Sequence, residues 1–120
     1  MVYKYSKLLT EHFLNPRNLG KIDDFDLSVK AENSTDGDNV EFFLKFEGDR
    51  VKNVGYIIKG CPRIIAASSL TSELIKGKTK DEILDMEIVE IPKRLDIESE
   101  VFNCVTEPIK AIQKAIKRMD

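Results

Sequence analysis

The chain has no tryptophan, one histidine and two cysteines in 120 residues, and each scarcity narrows what it can be. A single histidine, His12, excludes a site built from several imidazoles. Two cysteines allow at most one disulfide, so no framework of bridges holds the fold together. Neither sign of charge dominates. The 19 basic and 21 acidic side chains leave a formal net charge of −2, which offers no pull toward nucleic acid or an anionic membrane. No apolar run approaches the ~20 residues of a membrane span, and Met1-Val2-Tyr3-Lys4-Tyr5 lacks a signal-peptide core. The expectation is a cytoplasmic protein with no nucleic acid and no membrane among its partners. In a reducing cytosol, two cysteines far apart in sequence are more often metal-binding or catalytic than bridged.

What is present describes a globular domain. With 42% hydrophobic and 33% charged residues, the composition is that of a soluble protein. A single domain, residues 1–120, is long enough to build a core without staples. There is no internal repeat. Lys110, Lys114, Lys117 and Arg118 form a modest basic cluster, which in the last turns of a helix complements the dipole.

The chain is organised around Ile57-Ile58-Lys59-Gly60-Cys61-Pro62-Arg63, a strand end, a tight turn and a helix start. Val51, Val54, Tyr56, Ile57 and Ile58 suit a pleated strand. Gly60 permits either a positive φ or the close approach of another group. Pro62 fits the first helical position. Cys61 then stands among unpaired N–H groups at the positive end of the helix dipole, a setting that stabilises a thiolate. The plainer alternative is that Cys61 is a small buried hydrophobe at a strand–helix junction.

Tyr5 to Asn15 carries Tyr5, Leu8, Leu9, His12 and Phe13 at helical spacing, ended by Pro16. His12 reads as a packed or exposed side chain rather than a ligand. Leu27, Val29 and Ala31 alternate with polar residues as in a half-buried strand. The loop Ser34–Asn39 follows, then strands over Val40–Phe46 and Val51–Ile58 joined by Glu47-Gly48-Asp49-Arg50, an antiparallel meander. A helix from Pro62 ends at Gly77, and Thr79-Lys80-Asp81-Glu82 opens a short one. Pro92–Leu95 reads as a helical turn. Thr106-Glu107-Pro108 begins a last helix with Ile109, Ile112, Ala115, Ile116 and Met119 inward, leaving Cys104 just before its N-terminus. The fold class is α+β: a three-stranded antiparallel sheet packed against about five helices.

Two cysteines, each beside a helix start, and the paired aspartates of Asp36-Gly37-Asp38 are candidates for one site, although Asp-Gly is also ordinary hairpin-turn chemistry. Taken together, these segments resemble the iron–sulfur cluster assembly scaffold family, IscU and the N-terminal domain of NifU. The family's first-helix motif ending in Asn-Pro-Arg-Asn and a glycine is matched by His12–Gly20. Its Gly-Cys turn and Ala-Ser-Ser helix are matched by Gly60-Cys61 and Ala66-Ala67-Ser68-Ser69-Leu70. Its Lys-Gly-Lys helix end and Asp-Glu continuation are matched by Lys76-Gly77-Lys78 and Asp81-Glu82, and its third cysteine by Cys104.

The resemblance implies a site lined by Asp36, Asp38, Cys61 and Cys104. Asp38 matches the family aspartate, Asp36 stands in the place of the first cysteine, and Asn103 replaces a histidine. The proline-rich segment read by an Hsp70-type chaperone is absent, Ile97-Glu98-Ser99-Glu100-Val101 standing there, which makes that partner unlikely. Two thiolates with carboxylate oxygen make a set that zinc accepts. Iron–sulfur clusters prefer thiolates, so a carboxylate corner leaves a cluster more labile.

The function implied is an iron–sulfur scaffold or carrier, not an enzyme. Cys104 is its sulfur acceptor from a cysteine desulfurase, its cargo is a transient [2Fe-2S] cluster or Zn2+, and acceptor apo-proteins take the product. The alternative is a degenerate homologue that binds zinc or no metal and acts as an interaction or regulatory module. A thiol enzyme with Cys61 as nucleophile is a third reading, with His12 its sole candidate base. The chain is expected to be a monomer or a homodimer, a second subunit supplying further thiolates to a shared cluster.

Overall fold

The computed structural model describes residues 5–33, 37–98 and 102–119. The elements follow in the order α1 (Lys7–Leu14), β1 (Leu27–Asn33), β2 (Asp38–Glu47), β3 (Arg50–Lys59), α2 (Pro62–Ile75), α3 (Lys80–Asp85), α4 (Glu90–Arg94) and α5 (Phe102–Lys117). This is the expected α+β architecture: one antiparallel sheet in the order β1-β2-β3 and, among the described residues, five helices. No helix of these residues is long and apolar enough to cross a membrane.

The sheet is a meander because its turns are short and its apolar residues alternate. Val29 and Ala31 on β1, Val40, Phe42 and Leu44 on β2, and Val51, Val54 and Tyr56 on β3 are all buried and share one core. The β2–β3 turn closes through Gly48 at φ +61°, a conformation that suits glycine. Both long strands extend beyond their apolar stretches. Asn39 pairs with Lys59, so β2 begins at Asp38, which the sequence had left in a loop.

Phe43 breaks the alternation. It faces away from the main core and is nevertheless buried, with the Phe25 ring 5.0 Å away and the Lys21 ammonium 5.6 Å from its centroid. Residues 19–26 lie across that outer face. They approach because Phe43 is opposite Gly55, where a Cβ would collide with the Gly20 carbonyl. Gly20 N–H donates to the Tyr56 carbonyl at 2.7 Å and ties the segment to the sheet.

α2 is the central helix, touching α1, β3, α4 and α5. Ala66, Ala67, Ser68 and Ser69 are fully buried, so their small side chains let neighbouring backbones come close. α1 runs from an N-cap at Ser6, shorter than the span Tyr5 to Asn15. The Ser6 hydroxyl accepts from Leu9 N–H and donates to the Leu95 carbonyl, pinning α1 to the end of α4. α3 opens on the expected Thr79, with a full capping box to Glu82.

The start of α5 differs from the sequence reading. The helix begins at Phe102, so Pro108 lies inside it and Cys104 belongs to its first turn rather than preceding it. Val105 decides this: it is fully buried one turn ahead of Ile109 and extends the stripe of Ile109, Ile112 and Ile116 backward. Burying such a side chain is worth about 1.5–3 kcal/mol, which offsets much of the cost of an interior proline.

His12 and the Asn15-Pro16-Arg17-Asn18 turn clasp α2. His12 Nδ1 lies 2.7 Å from Ser69 Oγ, and Nε2 lies 3.3 Å from Glu73. Arg17 N–H donates to Ser69 Oγ at 2.8 Å, Asn18 Nδ2 donates to Ser72 Oγ at 3.0 Å, and Ser72 Oγ lies 3.2 Å from the Arg17 carbonyl. Burial, aided by Arg17, lowers the His12 pKa against the opposing pull of Glu73 and Glu11. The unfolded chain therefore binds a proton at His12 more readily than the folded one. This contribution to stability is complete above the ordinary pKa of about 6.5 and is lost as the pH falls below it. Denaturant midpoints measured from pH 7.5 to 5 are expected to fall further for the wild type than for His12→Gln; parallel curves would show that the clasp does not titrate.

Candidate metal centre

Three side chains converge where the ends of β2 and β3 meet the starts of α2 and α5. Asp38 is the first residue of β2, Cys61 the N-cap of α2, and Cys104 lies in the first turn of α5. Cys61 has extended backbone angles, and its side chain makes no capping bond to its own helix. The thiol turns instead toward Asp38, with Sγ 3.8 Å from Oδ2. Cys104 Sγ lies 3.5 Å from the same oxygen. One donor atom from each residue falls within 4.8 Å of the others. Both cysteines are half-buried and unbridged, while Asp38 is only 7% exposed.

These distances test whether a metal fits. With metal–sulfur bonds near 2.3 Å and metal–oxygen bonds near 2.1 Å, an ideal tetrahedron has S···O edges of about 3.6 Å and S···S edges of about 3.8 Å. The observed S···O separations of 3.8 and 3.5 Å match that edge, and the two sulfurs lie within 4.8 Å of each other. The donor chemistry agrees as well. A buried carboxylate facing two weak thiol donors is poorly compensated, and a divalent cation among the three corrects that. Among the described residues they supply three corners and leave the fourth open.

Gly60 makes the approach of Asp38 possible. Its φ is not in the left-handed region, so glycine is required here for space rather than for backbone conformation. A Cβ at this position would strike Ile64 and stand 2.9 Å from Asp38 Oδ1. Of the two roles open to Gly60 in the sequence, close approach is the one observed.

Asp38, Cys61 and Cys104 are thus brought together, and Asp36 lies outside the described residues, as does part of the Ile97–Val101 segment. Gly37 adopts φ +71°, so the turn character of Asp36-Gly37-Asp38 is real at the glycine while Asp38 belongs to the strand and the site. His12 is packed, as expected. Its partner Ser69 lies eight residues beyond Cys61, about 12 Å along α2. The thiol-enzyme reading thereby loses its base. Ser69, His12 and Glu73 imitate a nucleophile–base–acid row, but Ser69 is fully buried and accepts the Arg17 N–H, which makes the row a structural clasp. The sequence signal for that clasp is Ser69 and Ser72, three residues apart and so on one face of α2.

Comparison with known proteins accords with this geometry. The family model of the NifU-like N terminal domain matches residues 4–120. The iron-sulfur cluster assembly protein IscU of Plasmodium falciparum is 34% identical over 120 residues, covering 98% of this chain and 74% of the relative. The iron-sulfur cluster assembly scaffold protein IscU 1 of Archaeoglobus fulgidus is 32% identical over 113 residues, with 93% and 74% covered. The zinc-dependent sulfurtransferase SufU of Bacillus subtilis is 33% identical over 82 residues, or 68% of this chain and 55% of SufU. In fold, the chain superposes on FiSufU of Fervidobacterium islandicum with a TM-score of 0.79 at 22% identity, covering 93% of this chain and 96% of that one. It superposes on the N-terminal NifU-like protein of Brucella abortus with a TM-score of 0.72 at 18% identity, over 93% and 91%. With the family model matching residues 4–120 and the two thiols clustered with Asp38, the chain belongs to the NifU-like N-terminal domain family.

Proposed function

We propose that the protein is an iron–sulfur cluster assembly scaffold or carrier, and that Asp38, Cys61 and Cys104 hold its metal cargo. The observation that carries this reading is the convergence of one carboxylate and two thiols, with both S···O separations at metal-site distances, at the junction of four elements. Asp36, one residue before Gly37, is the proposed fourth donor. It supplies oxygen where a thiol would supply sulfur, so it carries no persulfide. Cys104 is the proposed sulfur acceptor. Its thiolate attacks the outer sulfur of a persulfide on a cysteine desulfurase, the sulfur–sulfur bond breaks, and the desulfurase thiolate leaves. Sulfane sulfur moves to Cys104 with no net oxidation. Ferrous iron and an external electron donor then reduce the sulfane sulfur, two electrons for each sulfur, to the sulfide of a cluster, which an acceptor apo-protein takes. In this role the chain turns over no substrate of its own.

A zinc-holding form is the second reading. It is supported by the same S···O separations and by the likeness to a relative named a zinc-dependent sulfurtransferase. Two hard oxygens and two thiolates suit zinc at least as well as a cluster.

Anaerobic reconstitution with ferrous iron and sulfide is expected to give visible charge-transfer absorption in the wild type. Cys61→Ser, Cys104→Ser and Asp38→Ala should each lose most of it with far-UV dichroism unchanged. Equal spectra from wild type and Cys104→Ser would remove Cys104 from the site. Zinc at one per chain that blocks reconstitution would favour the second reading. Gly60→Ala tests the packing behind Asp38. It is expected to weaken zinc binding by on the order of 10–100-fold, the usual loss when support for a ligand is disturbed, in competition with a chromogenic chelator; unchanged affinity would refute the cradle.

A further inference from the structure

The two edges of the sheet are treated differently. The outer edge of β3 is occupied by the chain itself. Val51 N–H donates to the Lys78 carbonyl and Gly77 N–H to the Val51 carbonyl, both at 2.9 Å, and Gly20 N–H reaches the Tyr56 carbonyl further along. β1 forms the opposite edge. Among the described residues, no backbone hydrogen bond reaches Leu27–Asn33 from outside the sheet. A groove of about 620 Å3 runs there, walled on one side by Ser28, Val29, Lys30 and Ala31. Successive strand residues point to opposite faces, so a groove touching all four opens along the strand's free edge and not on either face.

The other wall is one face of α5, and it is basic. Lys110, Lys114 and Arg118 line it, while Lys30, alternating with the buried Val29 and Ala31, stands across from Glu41 on the other face of the sheet. The only acid in the lining is Glu107, which already faces Lys110 at 3.9 Å. Three cations therefore gather along one wall of the groove in a chain whose net charge is −2. The helical cations recur every four residues, or about 6 Å of helix rise. Alternate side chains of an extended strand recur every 6.6–6.8 Å, close to the same interval. The span from Glu107 to Arg118 is about 16 Å, which an extended segment of about five residues covers.

We propose that this groove is a docking site for an extended acidic segment of a partner protein, which adds to β1 as a fourth strand and sets acidic side chains at alternate positions against Lys110, Lys114 and Arg118. Backbone pairing would supply affinity and the cations would select the sequence. A second copy of this chain is a poor occupant, because apposed β1 edges would bring like-charged grooves together. The groove begins at Glu107, three residues beyond Cys104, so a docked partner lies next to the metal centre.

The probe is a seven-residue peptide alternating Glu with Val and Thr, with a Lys-for-Glu counterpart as control, titrated into the 15N-labelled protein. The acidic peptide is expected to shift amide resonances of residues 27–33 and 110–118 and to slow hydrogen exchange along β1. Its affinity should fall at least tenfold in Lys110→Glu/Lys114→Glu, two half-buried or exposed positions outside the metal donors, and should weaken with added salt. The double variant should bind zinc as the wild type does, so a failed metal centre and a failed groove give different results. The proposal is overturned by absence of binding at millimolar peptide, which would leave the lysines as guards against edge pairing. Equal binding of the basic peptide, self-association through β1, or shifts produced at the same residues by a short oligonucleotide more strongly than by the acidic peptide would also overturn it.

Discussion

The pairing of Asn39 with Lys59 is the constraint on which the metal centre depends. Side chains alternate along a strand, so a slip of one residue between β2 and β3 would carry Asp38 to the opposite face and bury nothing in its place. The register is set by burial far from the site. Val40, Phe42 and Leu44 enter the same core as Val51, Val54 and Tyr56, and any other alignment would expose some of them. A polar site at the end of the sheet is thus positioned by apolar packing in its middle. The bulge at Lys45/Phe46 absorbs the irregularity at the distal end and leaves the functional end in register.

From that pairing the remaining donors follow. β3 runs directly into Gly60 and α2, which puts Cys61 beside Asp38, and α5 contributes Cys104 because its apolar stripe packs on β1 and α2. α2 is held from behind by the histidine clasp. Ser69 and Ser72 bind His12 and the Arg17 backbone, which fixes α1 and the following turn against it. The site has no long loop of its own among the described residues. It is assembled from the ends of regular elements, where small errors of position are least tolerated.

Much of this was legible in the sequence where the information is local. β1 was read at its observed bounds because Leu27, Val29 and Ala31 alternate cleanly with polar neighbours. Thr79 and Glu82 announce their capping box, and Pro62 marks the start of α2. The readings that missed involve distant partners. Asp38, Asn39 and Lys59 are polar and look like loop, yet backbone pairing across the sheet makes them strand. Pro108 looks like a first helical residue until Val105 is seen to be buried. Phe43 breaks the alternation because Phe25 and Lys21 cover it from outside, which no period of two can reveal. At the site, the convergence of Asp38, Cys61 and Cys104 was suggested by family motifs, whereas periodicity alone placed the two cysteines only near helix starts.

The proline inside α5 has a mechanical meaning. Pro108 has no N–H to give to the Cys104 carbonyl four residues back, and its ring presses on that same group. The turn that presents one of the two sulfurs is therefore stitched to the rest of its helix by one bond fewer than a regular turn would have. Val105, fully buried in that same turn, keeps it seated in the core, so the Cys104 sulfur is positioned by apolar packing rather than by a complete helical hydrogen-bond ladder.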